Sequence, residues 1–346
     1  MGANRRVLVI ATGGTIASVQ RADGLAPGLT GKELLQYVPQ VSDVAQVTVT
    51  QPMNIDSTNM RPRDWLCIKD VIRASYDDYD GFVVLHGTDT MAYTAAALSY
   101  LIQGGRRPIV LTGAQQPMAS PFTDARLNLY QSVVYAADPR SRGVSVVFGG
   151  SVIVGTRARK QRTLSYNAFT SVNYPLPAVI RGSRIVRDAG TGMGIAGAGD
   201  ETGRAPLSPT FYDRLDERVV VLRLTPELQP SILGLLRSDY RAVILETFGI
   251  GGIPNWDDHA WRDAIYAWVA SGRILVVTTQ VPEEGLDLGV YEVGRAFANH
   301  PGILRGDDMT TEALVAKTMW ALGQTDDASE LARLFYQPVN HDRAEG

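Results

Sequence analysis

Short apolar, β-branched runs alternate with helical spacings along the first half of the chain. VLVIA at 7–11 is apolar throughout and stops at Thr12-Gly13-Gly14, the signature of a buried strand running into a turn. LTGKELLQYV at 29–38 reads as a short helix beginning near Gly31, because Thr30 and Glu33 stand at capping-box spacing. A strand near 46–50 precedes a helix in which Trp65, Ile68 and Ile72 recur at helical spacing after Pro62. GFVVLH at 81–86, a helix from about Thr90 to Leu101, PIVLTG at 108–113, a helix around 124–137 and VSVVFGG at 144–150 continue the alternation. Strand followed by helix, repeated, predicts right-handed crossovers and a mainly parallel sheet covered on both faces.

The pattern breaks in a glycine-rich stretch, RDAGTGMGIAGAGDETGRAPLSPT at 187–210, and resumes with VVVLRL at 219–224, AVILETF at 242–248 and RILVVTT at 273–279. Helices are expected at 228–237, 256–271 and 310–323. The expected organisation is therefore two α/β domains. The larger, of flavodoxin or Rossmann type, covers residues 1–186; a glycine-rich linker covers 187–215; a smaller α/β domain covers 216–346. Within the linker, Gly192, Gly194 and Gly197 match the dinucleotide fingerprint in spacing. That fingerprint works only between a buried strand and a helix N-terminus, and polar flanks make a tether the better reading.

Composition narrows the function classes. A formal net charge of −3 gives no global electrostatic case for nucleic acid or an anionic membrane. Arg157, Arg159, Lys160 and Arg162 form a local basic run whose default reading is a solvated loop. The single cysteine, Cys67, excludes an internal disulfide and a multi-thiolate metal site, and its helical neighbours predict a buried helix face. The four histidines lack ligand spacing, so no metal is expected. The apolar run after Arg5 and Arg6 is too short for a signal core, and no stretch approaches a membrane span of about 20 residues. A cytoplasmic protein is the expectation.

Hydroxyls stand where parallel strands should end. Thr12-Gly13-Gly14-Thr15 follows the first strand, and His86-Gly87-Thr88-Asp89-Thr90 follows GFVVL. Ligands in open α/β sheets collect at the carboxyl ends of strands. Glycines there permit tight turns with exposed amides suited to an oxyanion. Helix capping is the competing reading for Asp89 and Thr90, but two such segments at matching positions favour a site.

Over nearly the whole chain these residues resemble the bacterial asparaginase family, especially its cytoplasmic type I branch. The two signatures are ATGGTIAS at 11–18 and GFVVLHGTDTMAYTAAALSYLI at 81–102. Further similarity lies in NIDSTNM at 54–60, LTGAQQP at 111–117, TDARLNLYQSVVYAAD at 123–138, GTRARKQR at 155–162, TFGIGGIPN at 247–255, TTQ at 278–280 and GDDMTTEALVAK at 306–317. The resemblance implies hydrolysis of L-asparagine to L-aspartate and ammonia, with no cofactor and no metal. It implies Thr15 as nucleophile, and Thr88, Asp89 and Lys160 as the second catalytic group. Ser57, with Asp56 and Thr58, would bind the substrate α-carboxylate, Asp89 the α-ammonium, and the Ala114 carbonyl the leaving amide nitrogen. A homodimer or homotetramer is implied.

A threonine hydroxyl needs a base to take its proton, and a lysine serves only when its pKa is lowered, for instance by burial. Three positions depart from the family pattern: Leu25 where many members carry a tyrosine, Gly252 where relatives often have asparagine, and Val281 where some type I enzymes place a regulatory cysteine. The glycine- and proline-bearing segment 17–30 has the composition of a lid, with a passive surface loop as the alternative. Two rival functions stand beside asparagine hydrolysis: a broader asparaginase/glutaminase, since one methylene separates the two amides, and a catalytically silent amino-acid-binding protein.

Overall fold

Residues 5–187 (apart from 22 and 23), 208–255, 259–289, 297, 300 and 302–344 are described by a computed structural model. The chain divides into two compact units, residues 1–213 and 214–346. The first unit begins with β1 (Arg6–Ala11), β2 (Ser18–Arg21), β3 (Gly24–Pro27), α1 (Gly31–Gln36), β4 (Gln46–Thr50), α2 (Pro62–Ser75), β5 (Gly81–Leu85) and α3 (Met91–Leu101). It continues with β6 (Ile102–Gln103), β7 (Ile109–Thr112), α4 (Ala125–Ala137), β8 (Val144–Phe148), β9 (Ser151–Val154), β10 (Ala158–Lys160) and β11 (Phe169–Ser171). β12 (Ala178–Arg181), β13 (Arg184–Arg187) and β14 (Thr210–Phe211) complete it.

The main sheet runs β13-β12-β9-β8-β7-β5-β1-β4. The strands from β4 to β8 are parallel, and β9, β12 and β13 add antiparallel pairings at one side. β5, β7 and β8 are buried at every position, as expected of strands covered on both faces. α4 packs its apolar residues into one core with Val9, Val83 and Val110. Register matters most for function. Ala11 lies opposite Leu85, and Leu85 opposite Thr112, so β1, β5 and β7 end level and the turns after them meet at one edge.

The second unit holds β15 (Val219–Arg223), α5 (Ile232–Leu236), β16 (Ala242–Thr247), α6 (Ala260–Ala270), β17 (Ile274–Thr279), β18 (Ile303–Arg305), α7 (Thr311–Gln324) and α8 (Ala328–Tyr336). Its four strands are parallel in the order β15-β16-β17-β18. Trp261, Trp268 and Ile265 of α6 bury against Val243, Leu245 and Val277. The two-domain, mainly parallel α/β class read from the pattern is the observed one.

Several local expectations change. Cys67 is half-buried rather than buried, because the inner face of α2 is carried by Trp65, Ile68 and Ile72. The helix expected at 228–237 shrinks to α5: Pro230 has no N–H, and residues 229–234 turn through i→i+3 bonds. The segment 17–30 is not an open loop. β2 and β3 pair antiparallel within it, with Leu25 opposite Gln20. The basic run is not a solvated loop either, since Arg157 is fully buried under the Tyr174 ring and Lys160 ends a strand. Most of the expected linker, including Gly192–Gly197, lies outside the described residues.

Candidate active site

Gly13 and Gly14 carry the chain out of β1 with φ of 109° and 82°, a region open chiefly to glycine. The turn they make is packed backbone to backbone. Gly14 N donates to Ile55 O and Ile55 N to Thr12 O, at 3.0 and 2.9 Å. A Cβ on Gly14 would stand 2.4 Å from Gly87 Cα, and one on Gly87 would stand 2.4 Å from Ser57 Oγ. Three segments separated in sequence (13–15, 55–57 and 86–89) therefore touch at Gly13, Gly14 and Gly87, which brings Thr15, Ser57 and Thr88 to one place. Thr15 opens a short 3₁₀ turn, half-exposed, and among the described residues its hydroxyl makes no hydrogen bond. Thr12 serves the fold: its hydroxyl is buried and donates to Leu85 O at 2.8 Å.

Lys160 reaches this place from the β10–β11 hairpin. Its Nζ donates to Thr88 Oγ1 at 2.7 Å and to Asp89 Oδ1 at 2.6 Å. The lysine side chain is 19% exposed and the aspartate 56%, so the ion pair has a sheltered cationic end and an open anionic end. The competing capping role for Asp89 and Thr90 is absent: α3 has no side-chain cap, and the Thr90 hydroxyl donates instead to Ser57 O at 2.8 Å. Asp56 behaves differently from Ser57. Its carboxylate accepts from the Thr58 amide and hydroxyl, both at 2.9 Å. Asp56 and Thr58 are exposed, while Ser57 is buried against Gly87.

The loop after β7 forms another wall. Ala114 is buried, and a Cβ on Gly113 would stand 2.3 Å from His86 O. Asp124, at the start of α4, does not cap its own helix. Its carboxylate reaches back to the amides of Gln115 at 3.0 Å and Gln116 at 3.0 Å and accepts from Asn128 Nδ2 at 3.1 Å. Asn128 also donates to Gly113 O at 3.0 Å and accepts from Gly149 N at 3.0 Å. Gln115 in turn accepts from Thr88 Oγ1 at 3.3 Å and donates to Ser165 O at 3.3 Å. Met118 N donates to Ile16 O at 3.2 Å, so the same loop is tied to the Thr15 turn. Sequence reasoning passed over Gln115, Asp124 and Asn128. The i, i+4 spacing of Asp124 and Asn128 at a helix start was the available signal.

His86 lies beneath the cluster and is fully buried. A carbonyl can only accept, so Nδ1 carries the proton it shares with Gly87 O at 2.7 Å. Nε2 then accepts from Thr94 Oγ1 at 2.9 Å, and Thr94 accepts from Trp65 Nε1 at 2.9 Å. Burial pushes the histidine pKa down to about 4, against a smaller opposing effect of the Gly87 carbonyl. His86 is a neutral strut for the Gly87 peptide.

Two of the departures from the family pattern, Gly252 and Val281, lie in the second unit. Gly252 pairs with Phe248, and a Cβ there would press on Phe248 O at 3.2 Å. Val281 is exposed, and its amide donates to Thr279 Oγ1 at 3.0 Å.

Parallel strands ending level, a glycine-packed turn with a half-exposed threonine, and a lysine bonded to a second threonine and an aspartate define an α/β protein with an acid–base cluster at its strand ends. Residues 6–189 match the family model described as "Asparaginase, N-terminal", and residues 218–335 match "Glutaminase/Asparaginase C-terminal domain". The chain is 36% identical to an L-asparaginase of Thermococcus kodakarensis, over 96% of this chain and 98% of that one. It is 31% identical to L-asparaginase 1 of Escherichia coli K12, over 96% of each chain. With a glutamyl-tRNA(Gln) amidotransferase component of Metallosphaera sedula it shares 34% identity, over 95% of this chain and 74% of that one. The solved structure of the thermostable L-asparaginase from Thermococcus kodakarensis superposes with a TM-score of 0.88 at 35% identity, covering 99% of this chain and 100% of that one. The chain belongs to the asparaginase family.

Proposed function

We propose that this protein hydrolyses L-asparagine to L-aspartate and ammonia, with Thr15 as nucleophile. The observation that carries the reading is the Lys160 ammonium bonded to both Thr88 and Asp89, next to the Gly14–Gly87 contact from which Thr15 departs. Thr15 Oγ forms a bond to the side-chain carboxamide carbon. Its proton is relayed through Thr88 Oγ1 and the Lys160 side chain to the departing amide nitrogen, which leaves as ammonia. Water adds to the resulting aspartyl ester, and its breakdown returns the proton to Thr15 and releases aspartate. Backbone amides of the turns that carry Thr15 and Thr88 stabilise the oxyanion in each step.

Substrate binding follows the same geometry. Asp89, with its open carboxylate end, takes the α-ammonium; Ser57 with Asp56 and Thr58 takes the α-carboxylate; the Ala114 carbonyl holds the amide nitrogen. The similarity to L-asparaginase 1 of E. coli supports a type I enzyme; a cytoplasmic location and a homodimeric or homotetrameric assembly belong to the same proposal. Among the described residues no helix is long and apolar enough to cross a membrane. The domain limits that suit this reading are 1–186 and 216–346, with the glycine-rich segment as tether.

Ammonia release from L-asparagine and L-glutamine, measured with wild type and Thr15→Ala, tests the proposal. Rapid turnover of asparagine that disappears in the variant is expected. Equal kcat/KM for glutamine would move the reading to a broader amidase, and a well-folded wild type that turns over neither amide would point to the silent binder.

A further inference from the structure

A cavity of about 360 Å³ opens in the first unit beside Arg5, Asp80, Pro108 and Arg142. These residues precede or begin β1, β5, β7 and β8, so the cavity sits at the amino ends of the parallel strands, away from the Thr88 cluster. Its volume lies in the range of small-molecule pockets, but its lining is ionic: four arginines and three aspartates, with the Tyr76 ring.

The charges do not cancel. Asp80 accepts from both Arg5 and Arg107, at 2.8 and 3.2 Å, and so neutralises one cation of two. Asp138 is held by Arg140 at 3.1 Å and Arg187 at 3.2 Å, neither of which lines the cavity. Among the described residues Arg106 and Arg142 form no ion pair. Arg142 Nη1 donates to the carbonyls of Pro139 and Ser141, at 2.5 and 2.7 Å. Carbonyls position a guanidinium without neutralising it. Asp77 is exposed and offsets one charge at most. Burial, and then the guanidiniums of Arg106, Arg5 and Arg107, push the Arg142 pKa down, which places the four cations within electrostatic reach of one another.

We propose that this cavity binds the phosphate group of a small phosphorylated metabolite, gripped by Arg106 and Arg142 with Arg5 and Arg107 alongside. Guanidinium forks match phosphate oxygens in pairs, and a dianion answers the positive excess. Bare phosphate would leave most of the volume to solvent, so an ester with a small organic group fits better.

Isothermal titration of the full chain, in phosphate-free buffer at fixed ionic strength, tests this with glycerol 3-phosphate, inorganic phosphate and malonate. Saturable binding of glycerol 3-phosphate is expected, tighter than the other two, and weakened at least tenfold in Arg106→Gln/Arg142→Gln with ammonia release unchanged. Absence of saturable binding, or equal affinity in the double variant, would overturn the site. Malonate binding as tightly would overturn the phosphate assignment, and inorganic phosphate binding as tightly as the ester would overturn the metabolite. Should the double variant fail to fold, Arg106→Lys/Arg142→Lys keeps both charges and removes the forks. It is expected to bind the ester more weakly than wild type, and unchanged affinity would overturn the guanidinium grip.

Discussion

Lys160 Nζ lies 2.7 Å from Thr88 Oγ1, although 72 positions separate the two residues in the chain. The contact exists because β10 pairs with β11, Lys160 opposite Phe169, and so carries the lysine to the end of β5. In Lys160→Ala, Thr88 and Asp89 lose the donor that joins them. Turnover of asparagine should fall by about 10²- to 10⁴-fold, the usual worth of a positioned acid–base group. The melting temperature should stay within a few degrees, because partly exposed ion pairs contribute little. Steady-state kinetics beside a thermal melt checks this, and a variant of normal activity would remove the lysine from the mechanism.

Gly14 is one of the tightest points of the site. Its φ of 82° and the 2.4 Å approach to the Gly87 backbone leave no room for a methyl group. Gly14→Ala must shift either the Thr15 turn or the Gly87 turn, at a cost of about 2–4 kcal/mol. Urea unfolding should report that loss together with a collapse in activity. Gly182→Ala is a control that shares the positive φ but meets no atom within 4 Å; it should cost less and leave kcat unchanged.

Asp124 holds the Ala114 loop through three hydrogen-bond donors, the amides of Gln115 and Gln116 and Asn128 Nδ2. Asp124→Ala leaves two amides without this acceptor in a part-buried setting, a loss of about 1–2 kcal/mol. The loop also carries Gln115 against Thr88, so kcat/KM should drop about tenfold or more while Thr15 and Lys160 remain intact. Asn at 124 keeps one acceptor oxygen and should recover part of the loss. A variant with full stability and full activity would show that the loop holds itself.

His86 should make stability depend on pH. Its folded pKa, about 4, lies below the ordinary histidine value of 6.5 because burial penalises the imidazolium. Between these values the unfolded chain binds the extra proton. Stability is therefore complete above about pH 6.5 and is lost as pH falls towards 4, by on the order of 3 kcal/mol at most. Denaturant unfolding across this window should show the slope in wild type and a flatter one in His86→Gln. Identical slopes would exclude His86 as its source.

Asp216 should act lower on the same scale. Burial opposes its ionisation, but hydrogen bonds from Arg218 and Arg241 outweigh that and hold its pKa down to about 2. Its contribution is present above about pH 4 and is lost as pH falls through 2, with a magnitude of about 2 kcal/mol. Asp216→Asn should remove it, visible as a lower melting temperature at pH 7 and a smaller loss on acidification.

Much of the molecule was legible in the chain because the relevant physics is local. Short apolar runs rich in β-branched residues and ended by turn residues, such as 81–85, fit strands buried on both faces, and Thr30 with Glu33 forms the capping box that their spacing announced. The two glycine–hydroxyl segments stood out because tight turns at strand ends need glycine. Other features were invisible for a physical reason. Asp124 looks like a helix cap, and only the fold turns its carboxylate back to Gln115 and Gln116. Arg157 looks solvated until Tyr174 covers it.

The sequence by itself determined the alternation of elements, the mainly parallel α/β class, and the identity of the turns that carry hydroxyls. Periodicity, capping and turn chemistry act over a few residues and need no partner. Tertiary structure alone decided that β1, β5 and β7 end level, that Gly14 touches Gly87, and that Lys160 meets Thr88 and Asp89. Those facts depend on strand order and register. Contacts made across tens of residues by packing set both, and no local pattern records them.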